Sequence, residues 1–79
     1  MQLKIYTMSR TVFTGETSRV TLPTITGQLT LLENHIPLVT VLEPGTLVYV
    51  KNDKEETLPI KGGFLEVRSG NEVRVLADE

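Results

Sequence analysis

Along most of this chain, apolar and polar residues alternate with a period of two. Leu3 and Ile5 are interleaved with Gln2, Lys4 and Tyr6, Val20 and Leu22 with Arg19 and Thr21, Leu29 and Leu31 with Gln28 and Thr30, and Val73 and Val75 with Glu72 and Arg74. A strand turns successive side chains to opposite faces, so the pattern predicts strands with one face in a core and the other in water. Val12 and Phe13 predict a further short strand that ends before Gly15. Leu47-Val48-Tyr49-Val50 is unbroken apolar sequence, as in a strand covered on both faces. Asn52-Asp53-Lys54 then predicts a polar hairpin tip leading into Glu55-Glu56-Thr57-Leu58. Turn chemistry separates the other segments at Thr14-Gly15, Pro23 to Gly27, Glu33 to Pro37, Glu43-Pro44-Gly45, Gly62-Gly63 and Ser69-Gly70-Asn71. Thr and Val are abundant, Pro and Gly recur, and no stretch has helical apolar spacing, so almost no helix is expected. Short strands at this spacing predict an all-β sandwich or barrel.

Composition narrows the picture. At 79 residues and 39% apolar, the chain has material for a single small core, one domain over 1–79, with no repeat or linker. A partner would add stability to so small a unit by mass action. Eight Lys plus Arg against ten Asp plus Glu leave a net charge of −2, the wrong balance for neutralising phosphates, and nucleic acid is excluded as an expected ligand. With no Cys there is no disulfide and no thiolate metal site. Apolar runs of a few residues fall far short of the roughly 20 that a membrane helix needs. The opening Met1-Gln2-Leu3-Lys4 lacks the basic start and apolar block of a secretion signal, which makes the cytoplasm the default compartment.

Candidate chemistry is sparse. Ser9, Ser18 and Ser69 are the serines and His35 is the lone imidazole, with no Gly-x-Ser-x-Gly elbow to expose a nucleophile. One His and no Cys do not make a zinc site. Gly62-Gly63 is not followed by Lys-Ser/Thr and reads as a tight turn or bulge rather than a phosphate cradle. No catalytic residue, metal or cofactor is therefore expected. His35 lies in Leu32-Glu33-Asn34-His35-Ile36-Pro37, either a recognition loop or a plain turn whose imidazole caps a carbonyl. A free-standing β-sandwich that binds a peptide or glycan is the alternative the fold class allows. Tyr6, Phe13, Tyr49 and Phe64 are too few and too scattered for a stacking platform, which weakens it.

Six segments recur in one order: Val12-Phe13-Thr14-Gly15-Glu16, Val20-Thr21-Leu22-Pro23, Gly27-Gln28-Leu29, Leu32-Glu33-Asn34-His35-Ile36-Pro37-Leu38, Leu42-Glu43-Pro44-Gly45-Thr46-Leu47 and Gly62-Gly63-Phe64-Leu65-Glu66-Val67. Together, over about Leu3 to Ala77, they resemble the epsilon subunit of the F-type rotary ATP synthase, in its N-terminal domain. That resemblance implies a flattened antiparallel β-sandwich of about eight to ten strands. It implies a non-catalytic rotor subunit that binds the gamma subunit and rests on the ring of c subunits, coupling proton translocation to ATP synthesis. Contact with the membrane would be indirect, through the c ring, at the cytoplasmic face of the inner (plasma) membrane. Thr26, Gly27 and Gln28, with Glu33, Asn34, His35 and Ile36, would lie at the end of the sandwich facing the c ring, His35 near its junction with gamma. One sheet face would pack on gamma.

Two features depart from the family pattern. Where an acidic residue commonly follows the glycine, and a second glycine comes two positions later, this chain has Gly27-Gln28-Leu29-Thr30. A neutral amide at Gln28 can still hydrogen-bond but without charge assistance. The sequence stops at Ala77-Asp78-Glu79, where most relatives continue into a helical hairpin that inhibits ATP hydrolysis and in some members binds ATP. The resemblance therefore assigns neither activity here.

Overall fold

The computed structural model describes residues 1–79 and contains nine strands and no helix. They are β1 (Gln2–Tyr6), β2 (Thr11–Glu16), β3 (Val20–Thr24), β4 (Gly27–Leu31), β5 (Leu38–Leu42), β6 (Gly45–Lys51), β7 (Lys54–Ile60), β8 (Gly62–Arg68) and β9 (Glu72–Asp78). The strands hydrogen-bond in the order β2-β1-β9-β8-β5-β3-β6-β7, with β4 added on β3. This continuous sheet curls into two layers, β2-β1-β9-β8-β5 and β4-β3-β6-β7. They join at a corner where β5 touches β3 through the Thr24–Leu42 pair. Chain and sheet turn together there: β5 runs through Glu43-Pro44 into β6, and the Glu43 N–H donates to the Pro23 carbonyl at 2.9 Å. The result is flattened, 26 × 25 × 19 Å.

The alternation read from the sequence marks the core. Leu3 and Ile5 of β1, Leu65 of β8, and Val73 and Val75 of β9 are fully buried, facing Val20, Leu22, Leu31 and Leu47 of the other layer. The hairpin at Asn52-Asp53 is present, with Lys51 paired to Lys54 across a two-residue turn. Both turn residues have positive φ, 51° and 63°, the type I′ geometry whose twist matches the flanking strands.

Several details differ from the sequence reading. Leu47-Val48-Tyr49-Val50 is not covered on both sides: Leu47 and Tyr49 are buried while Val48 and Val50 remain partly open. Gly15 does not end its strand, because β2 continues pairing with β1 through Leu3–Gly15 and Gln2–Glu16. Pro23 lies inside β3, opposite Gln28, and the turn contracts to Ile25-Thr26. Gly62 and Gly63 open β8 instead of forming a turn. A side chain at Gly63, where φ is +137°, would bring its Cβ within 2.1 Å of the Leu76 carbonyl oxygen, so the close approach of β9 requires glycine. One pair also breaks the antiparallel rule, β1 against β9 in parallel register from Gln2–Glu72 to Tyr6–Leu76.

Candidate functional site

The Glu33–Ile36 segment belongs to the connection from β4 to β5, and its order comes from side chains. None of the six backbone hydrogen bonds outside the strands involves a residue from Leu32 to Pro37. Instead, Glu33 Oε1 accepts from the Met1 ammonium at 2.5 Å and Oε2 accepts from Asn71 Nδ2 at 2.5 Å. Asn71 Oδ1 in turn accepts the Asn34 backbone N–H at 2.8 Å. The Met1 ammonium is buried and also donates to the Thr17 carbonyl at 2.9 Å, with Glu16 a further 3.4 Å ion-pair partner. The Asn71 amide and, after it, the Met1 ammonium hold the Glu33 carboxyl below the usual carboxylate range. His35 Nδ1 lies 2.7 Å from the Ile36 carbonyl oxygen. A carbonyl only accepts, so Nδ1 carries the proton, and the imidazole caps a neighbouring carbonyl as in the plain-turn reading. Ile36 and Leu32 are exposed, giving the loop an apolar as well as a charged character.

Thr26, Gly27 and Gln28 form the β3–β4 hairpin and the start of β4. Thr24 Oγ1 closes this turn, donating to the Gly27 carbonyl at 2.6 Å and accepting the Thr26 N–H at 3.3 Å. Gln28 is exposed opposite Pro23. The two candidate segments do not merge into one cluster. They leave opposite ends of β4, whose five residues hold its ends about 13 Å apart. A shallow depression lies beside the hairpin, where Thr26, Gln28 and Leu29 meet Leu38 and Val39 of β5.

A second surface follows from the registers. Tyr6, Leu76, Phe64 and Val41 are cross-strand partners on β1, β9, β8 and β5, so their side chains form one row across the outer face of that layer. Phe64 is 58% exposed and Leu76 46%. The adjoining row is Lys4, Arg74, Glu66 and Val39, the valine 74% exposed. Tyr6, Val39, Phe64, Glu66, Arg74 and Leu76 line a depression of about 520 Å³, and Arg74 Nε is buried without a hydrogen-bond partner. No group of three His, Cys, Asp or Glu gathers in metal-binding geometry.

The geometry thus offers exposed ion pairs, amides and apolar rows. A family model described as the β-sandwich domain of the ATP synthase delta/epsilon chain matches residues 1–79. The chain belongs to this family. The ATP synthase epsilon chain of Herpetosiphon aurantiacus is 45% identical over 78 residues, which cover 99% of this chain and 57% of the relative. That of Dichelobacter nodosus is 42% identical over 79 residues, covering 99% and 54%. The chain therefore spans little more than half the length of these epsilon chains. A chain in the Euglena gracilis mitochondrial ATP synthase, in a structure of its OSCP, F1 and c-ring, superposes with a TM-score of 0.89 at 25% identity, over 98% of this chain and 49% of the other. A chain in the central stalk and c-ring structure of the Tetrahymena thermophila mitochondrial ATP synthase gives 0.86 at 19% identity, over 100% and 63%, which shows a shared fold.

Asn71, Thr17 and the Met1 ammonium escaped the sequence reading as site residues. Asn71 carries the generic signal of a Ser-Gly-Asn turn, φ 63° included, and nothing in spacing reveals which loop its amide will reach.

Proposed function

We propose that this chain is a non-catalytic subunit of the central-stalk rotor of an F-type ATP synthase, linking gamma to the c ring and coupling proton translocation to ATP synthesis. The observation that carries this reading is the family match over the whole chain, and the Euglena gracilis superposition supports it. The role needs stiffness rather than reactivity. A close-packed sandwich whose layers are hydrogen-bonded at one corner passes load between two partners without internal sliding.

The outer row of Tyr6, Leu76, Phe64 and Val41 is the face proposed for gamma, because contiguous exposed apolar side chains are otherwise a liability in water. The Glu33–Ile36 loop and the Thr26–Gln28 hairpin are proposed for the ring side, where Gln28 offers an amide and Glu33 a charge already engaged within the chain. The subunit is placed on the cytoplasmic face of the inner (plasma) membrane, held there through the c ring and with no spanning helix among its elements. Nothing in the site favours a free-standing peptide or glycan module.

Isolation of the chain from detergent-solubilised membranes tests the proposal. Recovery of gamma and c subunits in fixed stoichiometry is the expected result, and a chain that never leaves the monomer fraction refutes it.

A further inference from the structure

The Glu33–Ile36 loop has no backbone ladder of its own, and one side chain supplies what it lacks. Asn71 sits at the β8–β9 turn, locked to β1 by the Gln2 N–H, which donates to its carbonyl at 2.9 Å. From that fixed base its carboxamide meets the loop twice. Oδ1 accepts the Asn34 N–H and Nδ2 donates to Glu33 Oε2. Only one orientation of the amide satisfies both bonds, since the backbone N–H must donate and the carboxylate must accept.

We propose that Asn71 is the positioning residue of the partner-contact loop: its amide clamps Glu33 and Asn34 and so sets the direction in which His35 and Ile36 are presented. This rests on the reading of that loop as a contact surface. The residue type is specified by the site. Asn tolerates the left-handed backbone at this position, φ 63°, better than most side chains. Asp would offer the Asn34 N–H an acceptor but place a second carboxylate against Glu33, whose repulsion drives the loop away from it, and Ser or Ala would reach neither group. Asn34, also left-handed at φ 60°, can hold that conformation because its N–H is tied down.

The clamp is tested by exchanging donor and acceptor. In Asn71→Asp the protection of the Asn34 amide against hydrogen exchange should fall at least ten-fold at pH 7, while core amides such as Val75 keep theirs. Adding Glu33→Gln restores a donor facing the new carboxylate and leaves an oxygen for the Met1 ammonium, so protection should return. Asn71→Gly, which keeps the backbone geometry and removes the amide, should loosen the loop without any carboxylate repulsion. In the reconstituted ATP synthase, Asn71→Asp and Asn71→Gly should each reduce affinity for the gamma and c-ring assembly several-fold. Unchanged Asn34 protection in both single variants overturns the clamp, as does failure of Glu33→Gln to restore it in Asn71→Asp. Loosening with unchanged affinity and ATP-driven proton pumping instead overturns the loop's contact role, and with it the positioning of a contact.

Discussion

Gly63 and Gly27 both have positive φ, yet the structure treats them differently. An added Cβ at Gly63 would strike the Leu76 carbonyl at 2.1 Å, whereas at Gly27 it meets nothing within 4 Å. Gly63→Ala should therefore cost at least about 2 kcal/mol, from overpacking as well as backbone strain, and Gly27→Ala only about 1 kcal/mol. Urea unfolding of the two variants separates these causes. Leu31→Ala should cost about 2–5 kcal/mol by opening a cavity at a fully buried position. The alternation around Leu29 and Leu31 made that burial legible beforehand. Nothing comparable announced Asn71, because a turn asparagine looks the same whether its amide faces water or another loop. The Glu33 carboxyl gives a pH signature. Its folded pKa lies below the ordinary 4.5, so the stabilisation it contributes is complete above that value and is lost as pH falls through the lower folded one. Asn34 amide protection should hold from pH 8 to about 5 and decline in the acid range below 4.5. A midpoint near neutrality would assign control to another group.

Among the elements, the β6–β7 hairpin was the most readable, since the polar Asn52-Asp53-Lys54 stretch after the apolar Leu47–Val50 run marks a turn. Its flanking pair is unfavourable. Lys51 and Lys54 face each other directly, so Lys54→Thr should raise stability by about 0.2–1 kcal/mol, more at low salt than at high salt. β5 shows why other elements were not readable. In Leu38-Val39-Thr40-Val41-Leu42 the two valines face outward and the threonine is partly buried, so no period-two rule marks the strand or its inner face. Those outward valines belong to the proposed gamma surface. Where function places apolar side chains outside, the sequence loses the contrast by which a core is recognised. The turns around Thr26 and Glu33, and the strand between them, were legible from turn residues and from the Leu29 and Leu31 alternation, but the side-chain bonds that hold the Glu33–Ile36 loop were not.

For the whole molecule, the two outer surfaces should be separable by mutation. Phe64→Glu puts a charge into the middle of the apolar row and should weaken gamma binding at least ten-fold, while the unfolding midpoint changes little because the ring is already 58% exposed. Glu33→Ala with His35→Ala should leave gamma binding nearly intact and lower proton pumping in the reconstituted enzyme. The reverse assignment of effects would exchange the two surfaces. The parallel pairing of β1 with β9 has its own consequence for synthesis. The seven residues of β9 slot between β1 and β8, so on the ribosome the earliest strand waits for the latest one. A nascent chain cut off before Glu72 would carry two raw strand edges where a neighbour belongs, and should be a ready target for proteases and aggregation rather than a smaller working part.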